Sequence, residues 1–265
     1  MNTNSFLWFL IQLVGITLTL FVSLLGMLEL GRRAYYRRQA ADPDGQTRGL
    51  GAVEGAIFTL LGLLLAFSFS GAAGRFNDRK WLVGEEANEI STAWLRIELL
   101  PVEDRAPLQA LFRAYTDARI ASYTFERADP RTEEAQAKTT RLQQEIWSMA
   151  VASCPTAQSA SACTLLLGSI NNMLDITTTR LVATWIHPPA PVYGMLFGLA
   201  LTAALLTGYG MAPNADRNWL HRVMFAGGIT VAIFVTLDLE FPRIGLIRMD
   251  EVDQLLVDVR QSFDR

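Results

Sequence analysis

Histidine and cysteine are almost missing from this chain. Each occurs twice in 265 residues, and the histidines, His187 and His221, are far apart. That leaves no cluster fit to hold a metal ion and no cysteine–histidine nucleophile pair. A phosphate loop, a dinucleotide fingerprint and a zinc-protease motif are absent as well. No catalytic residue, metal or cofactor is therefore assigned, and the chain is not expected to be an enzyme. Positive charge is not in excess either. Lys and Arg number 23 against 26 Asp and Glu, a net charge of -3, which gives no basis for nucleic-acid binding. Strand-like alternation and internal repeats are not visible. Met1 to Phe6 carries no side-chain charge and no small-residue cleavage site follows, so the first apolar run is expected to be retained, with the N-terminus outward.

Long apolar runs are what the chain does have. Four of them extend approximately over Leu7–Leu30, Ala52–Ala73, Val192–Met211 and Leu220–Leu239. Helices of about 20 residues, rising about 1.5 Å per residue, cross a hydrocarbon core of about 30 Å. The charged residues, 18% of the chain, concentrate outside these runs. The expected fold is all-α: a polytopic membrane protein with four transmembrane helices and a helical extramembrane bundle inserted between the second and third spans. Residues 1–73 would carry spans one and two, 74–191 the bundle, 192–241 spans three and four, and 242–265 an amphipathic tail.

Orientation follows from basic residues beside the spans. Arg32, Arg33, Arg37, Arg38 and Arg48 follow the first span, and Arg217 and Arg222 lie in the short third connection. Both favour the cytoplasm, which puts both termini and the insert outside, in the periplasm for a bacterial inner-membrane protein. Arg75, Arg79 and Lys80 after the second span argue the other way. Cys154 and Cys163 flank one small polar loop in the insert. A disulfide between them suits an oxidising compartment and the same orientation; two free thiols are the alternative.

The insert reads as helical. Val83, Ala87, Ile90, Trp94 and Ile97 form a seam at steps of four and three, with no strong breaker between it and the second span until Pro101. One long helix is expected there. Further amphipathic helices are expected around Leu108–Ala118, Leu142–Met149 and Leu165–Trp185. Val252, Leu256, Val259 and Phe263 give the tail its own seam. Glu85, Glu86, Asn88 and Glu89 are expected on a solvated face. Small residues four apart, Gly51 with Gly55, Ser70 with Gly74 and Gly194 with Gly198, are expected where helices approach closely. Glu54 either pairs with Arg48 or senses protons, and Phe21 is expected to face lipid.

Two segments carry chemistry. Arg75, Phe76, Asn77, Asp78 and Arg79 follow the second span, after Phe67, Ser68, Phe69 and Ser70. Asp238, Leu239, Glu240, Phe241, Pro242 and Arg243 close the fourth. These segments resemble the bacterial bestrophin-like family, itself named for a proposed similarity to bestrophin anion channels. Arg180, ahead of Pro188 and Pro189, fits the same resemblance. It implies a homo-oligomeric channel for small ions, anions by family analogy, and five subunits by that analogy alone. No counterpart of the bestrophin calcium-binding acidic cluster is present, so calcium gating does not carry over.

The residues themselves admit plainer readings. Spans two and four run in one direction, so Arg75 and Arg79 share a membrane face with Asp238, Glu240 and Arg243. These charges form either a structural clasp or a charged pore mouth. Phe67, Ser68, Phe69, Ser70 and Phe76 either line a pore, with phenylalanines excluding water, or pack as ordinary helix surface. The expected partners are the lipid bilayer, further copies of the chain and small ions. The competing function is a membrane-anchored sensor or scaffold whose helical bundle binds a partner.

Overall fold

A computed structural model describes residues 3–41, 50–124, 130–157, 159–212, 219–242 and 245–265. Every long element among them is helical: α1 (Thr3–Ala41), α2 (Leu50–Arg96), α3 (Val102–Thr124), α4 (Pro130–Ser153), α5 (Ala160–Ala183), α6 (Ala190–Gly210), α7 (Trp219–Glu240) and α8 (Asp250–Ser262). Four of them, α1, α2, α6 and α7, are long and apolar enough to cross a membrane. The second runs unbroken for 47 residues. It ends in a 3₁₀ turn, Ile97–Leu99, just before Pro101, whose ring disfavours helical geometry in the residue ahead of it. The segment Asp42-Pro43-Asp44-Gly45, whose residue types favour a turn, lies outside the described residues, as does Arg48.

The chain divides into two compact units. One comprises residues 7–74 and 187–241 and holds most of the apolar helices. Its buried cluster joins Leu20, Leu24 and Leu28 of α1 to Leu61 of α2, Leu196, Ala200, Ala203 and Ala204 of α6, and Ala226 and Ile233 of α7. Lipid tails are as apolar as leucine, so such helices are held by close packing rather than by expulsion of water. The closest approach is between α1 and α6. A Cβ on Gly31 would collide with the backbone of Leu205, and one on Gly208 with the backbone of Leu28. Only glycine lets the helices come this near. Gly51, Gly55, Gly74, Gly194 and Gly198 behave otherwise: a Cβ there would meet nothing within 4 Å. The expectation that these glycines bring helices of one chain together is corrected. The close contact uses Gly208, in register with Ala200 and Ala204. Phe21 is also corrected: it is half-buried against this cluster rather than facing lipid, whereas its neighbour Val22 is 64% exposed.

The second unit comprises residues 1–6, 75–186 and 242–265. The seam of α2 is its spine: Val83, Ile90 and Ile97 are fully buried. Phe112 and Tyr115 of α3, Ile146 of α4, and Leu166, Ile170 and Met173 of α5 complete the core. Burial of each such side chain contributes about 1.5–3 kcal/mol. Ser159 starts α5 by accepting a hydrogen bond from the Ala162 amide at 3.1 Å. The sulfurs of Cys154 and Cys163 are bonded across this corner, with Cα atoms 5.3 Å apart.

Helix α8 packs on this core through Leu256 and Phe263. The Phe263 ring stacks on Trp94 at 4.0 Å, and the Arg113 guanidinium lies over the same indole. Arg113 also donates to the Phe263 carbonyl at 2.8 Å. Hydrogen bonds from Arg260 and then Arg113 hold the Asp264 carboxyl below its ordinary range.

Candidate functional site

The most concentrated electrostatics lie inside the second unit. Glu86 of α2 is fully buried, and its two carboxylate oxygens accept from different helices. Arg119 of α3 donates to Oε1 and Arg180 of α5 donates to Oε2. Both arginines are 6% exposed. Asp253 of α8 lies 3.8 Å from Arg180. One network thus ties four helices together. The solvated-face expectation holds for exposed Asn88 but is corrected for Glu86. Glu86 follows buried Val83 by three residues and precedes buried Ile90 by four, so helical geometry turns it inward. That spacing was the signal available in the sequence. A carboxylate there requires counter-charge, because desolvation of a lone ion costs several kcal/mol.

Four of the sequence-derived charged residues, Arg75, Arg79, Asp238 and Glu240, have a place within their own unit. Arg79 is 6% exposed and donates to the carbonyls of Ala183 and Ile186, both at 3.0 Å. These are carbonyls at and just past the end of α5, where a cation also complements the helix dipole. Arg75 is half-buried on α2. Asp238 and Glu240, in the last turn of α7, are each 1% exposed. His187 Nδ1 lies 3.2 Å from Glu240 Oε2, and its ring stacks on Phe241 at 5.3 Å. His187 thus partners a buried carboxylate. Arg243 lies outside the described residues.

The five pore candidates on α2 differ in exposure. Phe67 is 67% exposed, Phe69 45%, and Ser70 is exposed. Ser68 is half-buried, and its hydroxyl oxygen has no hydrogen-bond partner among the described residues. Phe76 is buried, with the Lys80 ammonium 5.7 Å from its ring centre. Leu63, Phe67, Ser70 and Gly74, at steps of four and three, make a continuous open stripe along the helix. A large apolar surface on a membrane helix is expected to meet lipid or another protein chain.

Four helices long and apolar enough to cross a membrane, in a chain that also folds a second, charge-laced helical unit, mark an all-α membrane protein. The Bestrophin-like domain matches residues 20–252, and the chain belongs to the bestrophin-like family. Its fold is similar to that of a bacterial bestrophin homologue from Klebsiella pneumoniae carrying a single substitution. Identity is 13% over 92% of this chain and 98% of the other, with a TM-score of 0.68. A second structure described as a bacterial bestrophin homologue from Klebsiella pneumoniae, phased with zinc, is also 13% identical. It covers 91% of this chain and 98% of its own, with a TM-score of 0.68. A structure described as a membrane protein variant is 16% identical, over 92% of this chain and 98% of its own, with a TM-score of 0.57. Comparison with curated protein sequences gives no significant match.

Proposed function

We propose that this chain is one subunit of a homo-oligomeric membrane channel for small ions, anions by family analogy, with the second span lining the pore. Family membership and the likeness to bacterial bestrophin homologues support the channel reading. The observation that carries the pore assignment is the open stripe of α2, where Phe67 projects beside Ser70. A ring of such phenylalanines, one from each subunit, would stop ions by excluding water, while hydroxyls would contact an ion that passes. The exposed members, Phe67, Phe69 and Ser70, are the ones available for this role; Phe76 is already covered. A single chain cannot enclose a pore with one stripe, so the reading requires several copies around an axis.

Planar-bilayer recording of purified protein tests it. Phe67→Ala, on the open stripe, should widen the apolar constriction and raise the current more than Phe69→Ala, which lies about 160° round the helix. Val22→Ala, on the exposed surface of α1, should leave it unchanged. Equal currents from all three variants would remove α2 from the pore.

The orientation proposed places both termini and residues 75–186 in the periplasm of a bacterial inner membrane. The arginines after the first span support it, as does the bonded pair Cys154 and Cys163 in a loop suited to an oxidising compartment. A reporter that is active only in the cytoplasm should stay silent when fused at Asp129 and work at Gly45. Thiol reagents should fail to label denatured, unreduced protein. An active reporter at Asp129, with both cysteines labelled, would reverse the orientation.

A further inference from the structure

One end of the apolar unit holds more positive charge than its acids use. Glu29 of α1 meets three guanidiniums. Arg32 donates to it through Nε at 2.8 Å and Nη2 at 2.7 Å, Arg33 through Nε at 3.0 Å, and Arg222 of α7 through Nη2 at 3.1 Å. One carboxylate therefore accepts from three guanidiniums. Arg37 and Arg38 extend the cluster along the next turn of α1; both are exposed and neither forms an ion pair among the described residues. Glu54, near the start of α2, has its carboxylate beside Gly210. The connecting residues 42–49 and 213–218 add Asp42, Asp44 and Asp216 against Arg48 and Arg217, so the excess of arginine survives them.

The surroundings point to a membrane surface. Tyr35 meets Tyr36 and Tyr209 edge to face, at 5.6 and 5.4 Å, and the Tyr36 hydroxyl donates to the Ala212 carbonyl at 2.9 Å. Such amphipathic rings settle at the boundary between headgroups and hydrocarbon. Leu30 of α1 is 53% exposed and Met224 of α7 is 67% exposed, so apolar surface begins directly beside the charges. Gly31 and Gly208 lock α1 against α6 here, which fixes the position of the arginines. Glu29 pre-arranges three guanidiniums while leaving charge over. The side chain of Arg33 is 66% exposed, and its terminal nitrogens have no partner among the described residues. A guanidinium fork matches two oxygens of a phosphate.

We propose that Arg32, Arg33, Arg37, Arg38 and Arg222 form a binding site for the headgroup phosphate of an anionic phospholipid, whose chains lie over the adjoining apolar surface. Recognition by phosphate and chain together distinguishes this ligand from a soluble anion, which would gain nothing from exposed Leu30 and Met224. The site stands independently of ion conduction, because its residues lie outside the open stripe of α2.

The test uses the full chain in detergent, titrated with phosphatidylglycerol or with phosphatidylcholine of identical chains. Native mass spectrometry counts retained lipid. Wild-type protein should retain phosphatidylglycerol preferentially. The combined variant Arg33→Gln, Arg37→Gln, Arg38→Gln leaves Arg32 and Arg222 on Glu29, so its unfolding temperature without lipid should match wild type. Its affinity for phosphatidylglycerol should fall by roughly 10–100-fold, with phosphatidylcholine retention unchanged. Millimolar inorganic phosphate should not displace the lipid. Equal retention of the two lipids by wild type, or undiminished retention by the variant, would overturn the proposal. Ready displacement by inorganic phosphate would overturn it in favour of a free-anion site.

Discussion

Glu86→Gln is expected to destabilise the protein by roughly 3–5 kcal/mol, among the largest single-residue effects in the chain. The amide keeps the shape of the side chain and removes its charge. Arg119 and Arg180 would then stay 6% exposed without the carboxylate they share. The cost comes from two buried guanidiniums losing the counter-charge they share. Replacing Glu86, Arg119 and Arg180 together by apolar groups of similar volume should therefore cost far less than Glu86→Gln alone. Exposed Glu98, changed to Gln, serves as the control and should shift stability by less than about 0.5 kcal/mol. Thermal unfolding of purified protein in detergent reads all three. Wild-type stability in Glu86→Gln would show that water or another anion already serves the two arginines.

The second large effect is expected at the crossing of α1 and α6. Gly31→Ala and Gly208→Ala each place a Cβ on the backbone of the facing helix. Backbone cannot rotate away as a side chain can, so the helices must separate. A loss of about 1–3 kcal/mol or more is expected for each. Gly26→Ala on the same helix meets open space and should be neutral or slightly stabilising, since alanine favours helix by about 1 kcal/mol over glycine. If all three variants unfold at the same temperature, α1 and α6 are not in this contact. The double variant should cost less than the two singles added, because the first separation already makes room for the second methyl.

Hydropathy made the four spans legible, because a bilayer imposes the same length and apolarity on every helix that crosses it. The continuity of α2 beyond its apolar part was legible too, from the regular seam of Val83, Ile90 and Ile97 and the lack of a breaker before Pro101. The family resemblance rested on the residues after α2 and at the end of α7, and residues 20–252 bear it out. The spacing of Glu86 to Val83 and Ile90 turned it inward, but its partners were not legible, because they stand 33 and 94 residues away. A carboxylate on an amphipathic helix looks solvated until the opposing helices are known. Close packing was misplaced for a related reason. Glycine pairs such as Gly194 and Gly198 satisfy the small-residue spacing, yet the stripe that α6 uses is Ala200, Ala204 and Gly208. Spacing alone does not say which side of a helix has a neighbour. Phe21 and Val22 show the same limit at single-residue resolution.

The buried network and the glycine crossing hold the chain in shape; current across a bilayer reads what passes through an assembly of it. Purified wild-type protein, with its oligomeric state established by native mass spectrometry, should be reconstituted into planar bilayers in a chloride salt. Discrete currents that a chloride gradient reverses as an anion-permeable pore requires, and that grow in Phe67→Ala, are the predicted result. An intact oligomer that passes no current, in wild type and in Phe67→Ala alike, would contradict the channel reading and leave the protein as a membrane-anchored scaffold.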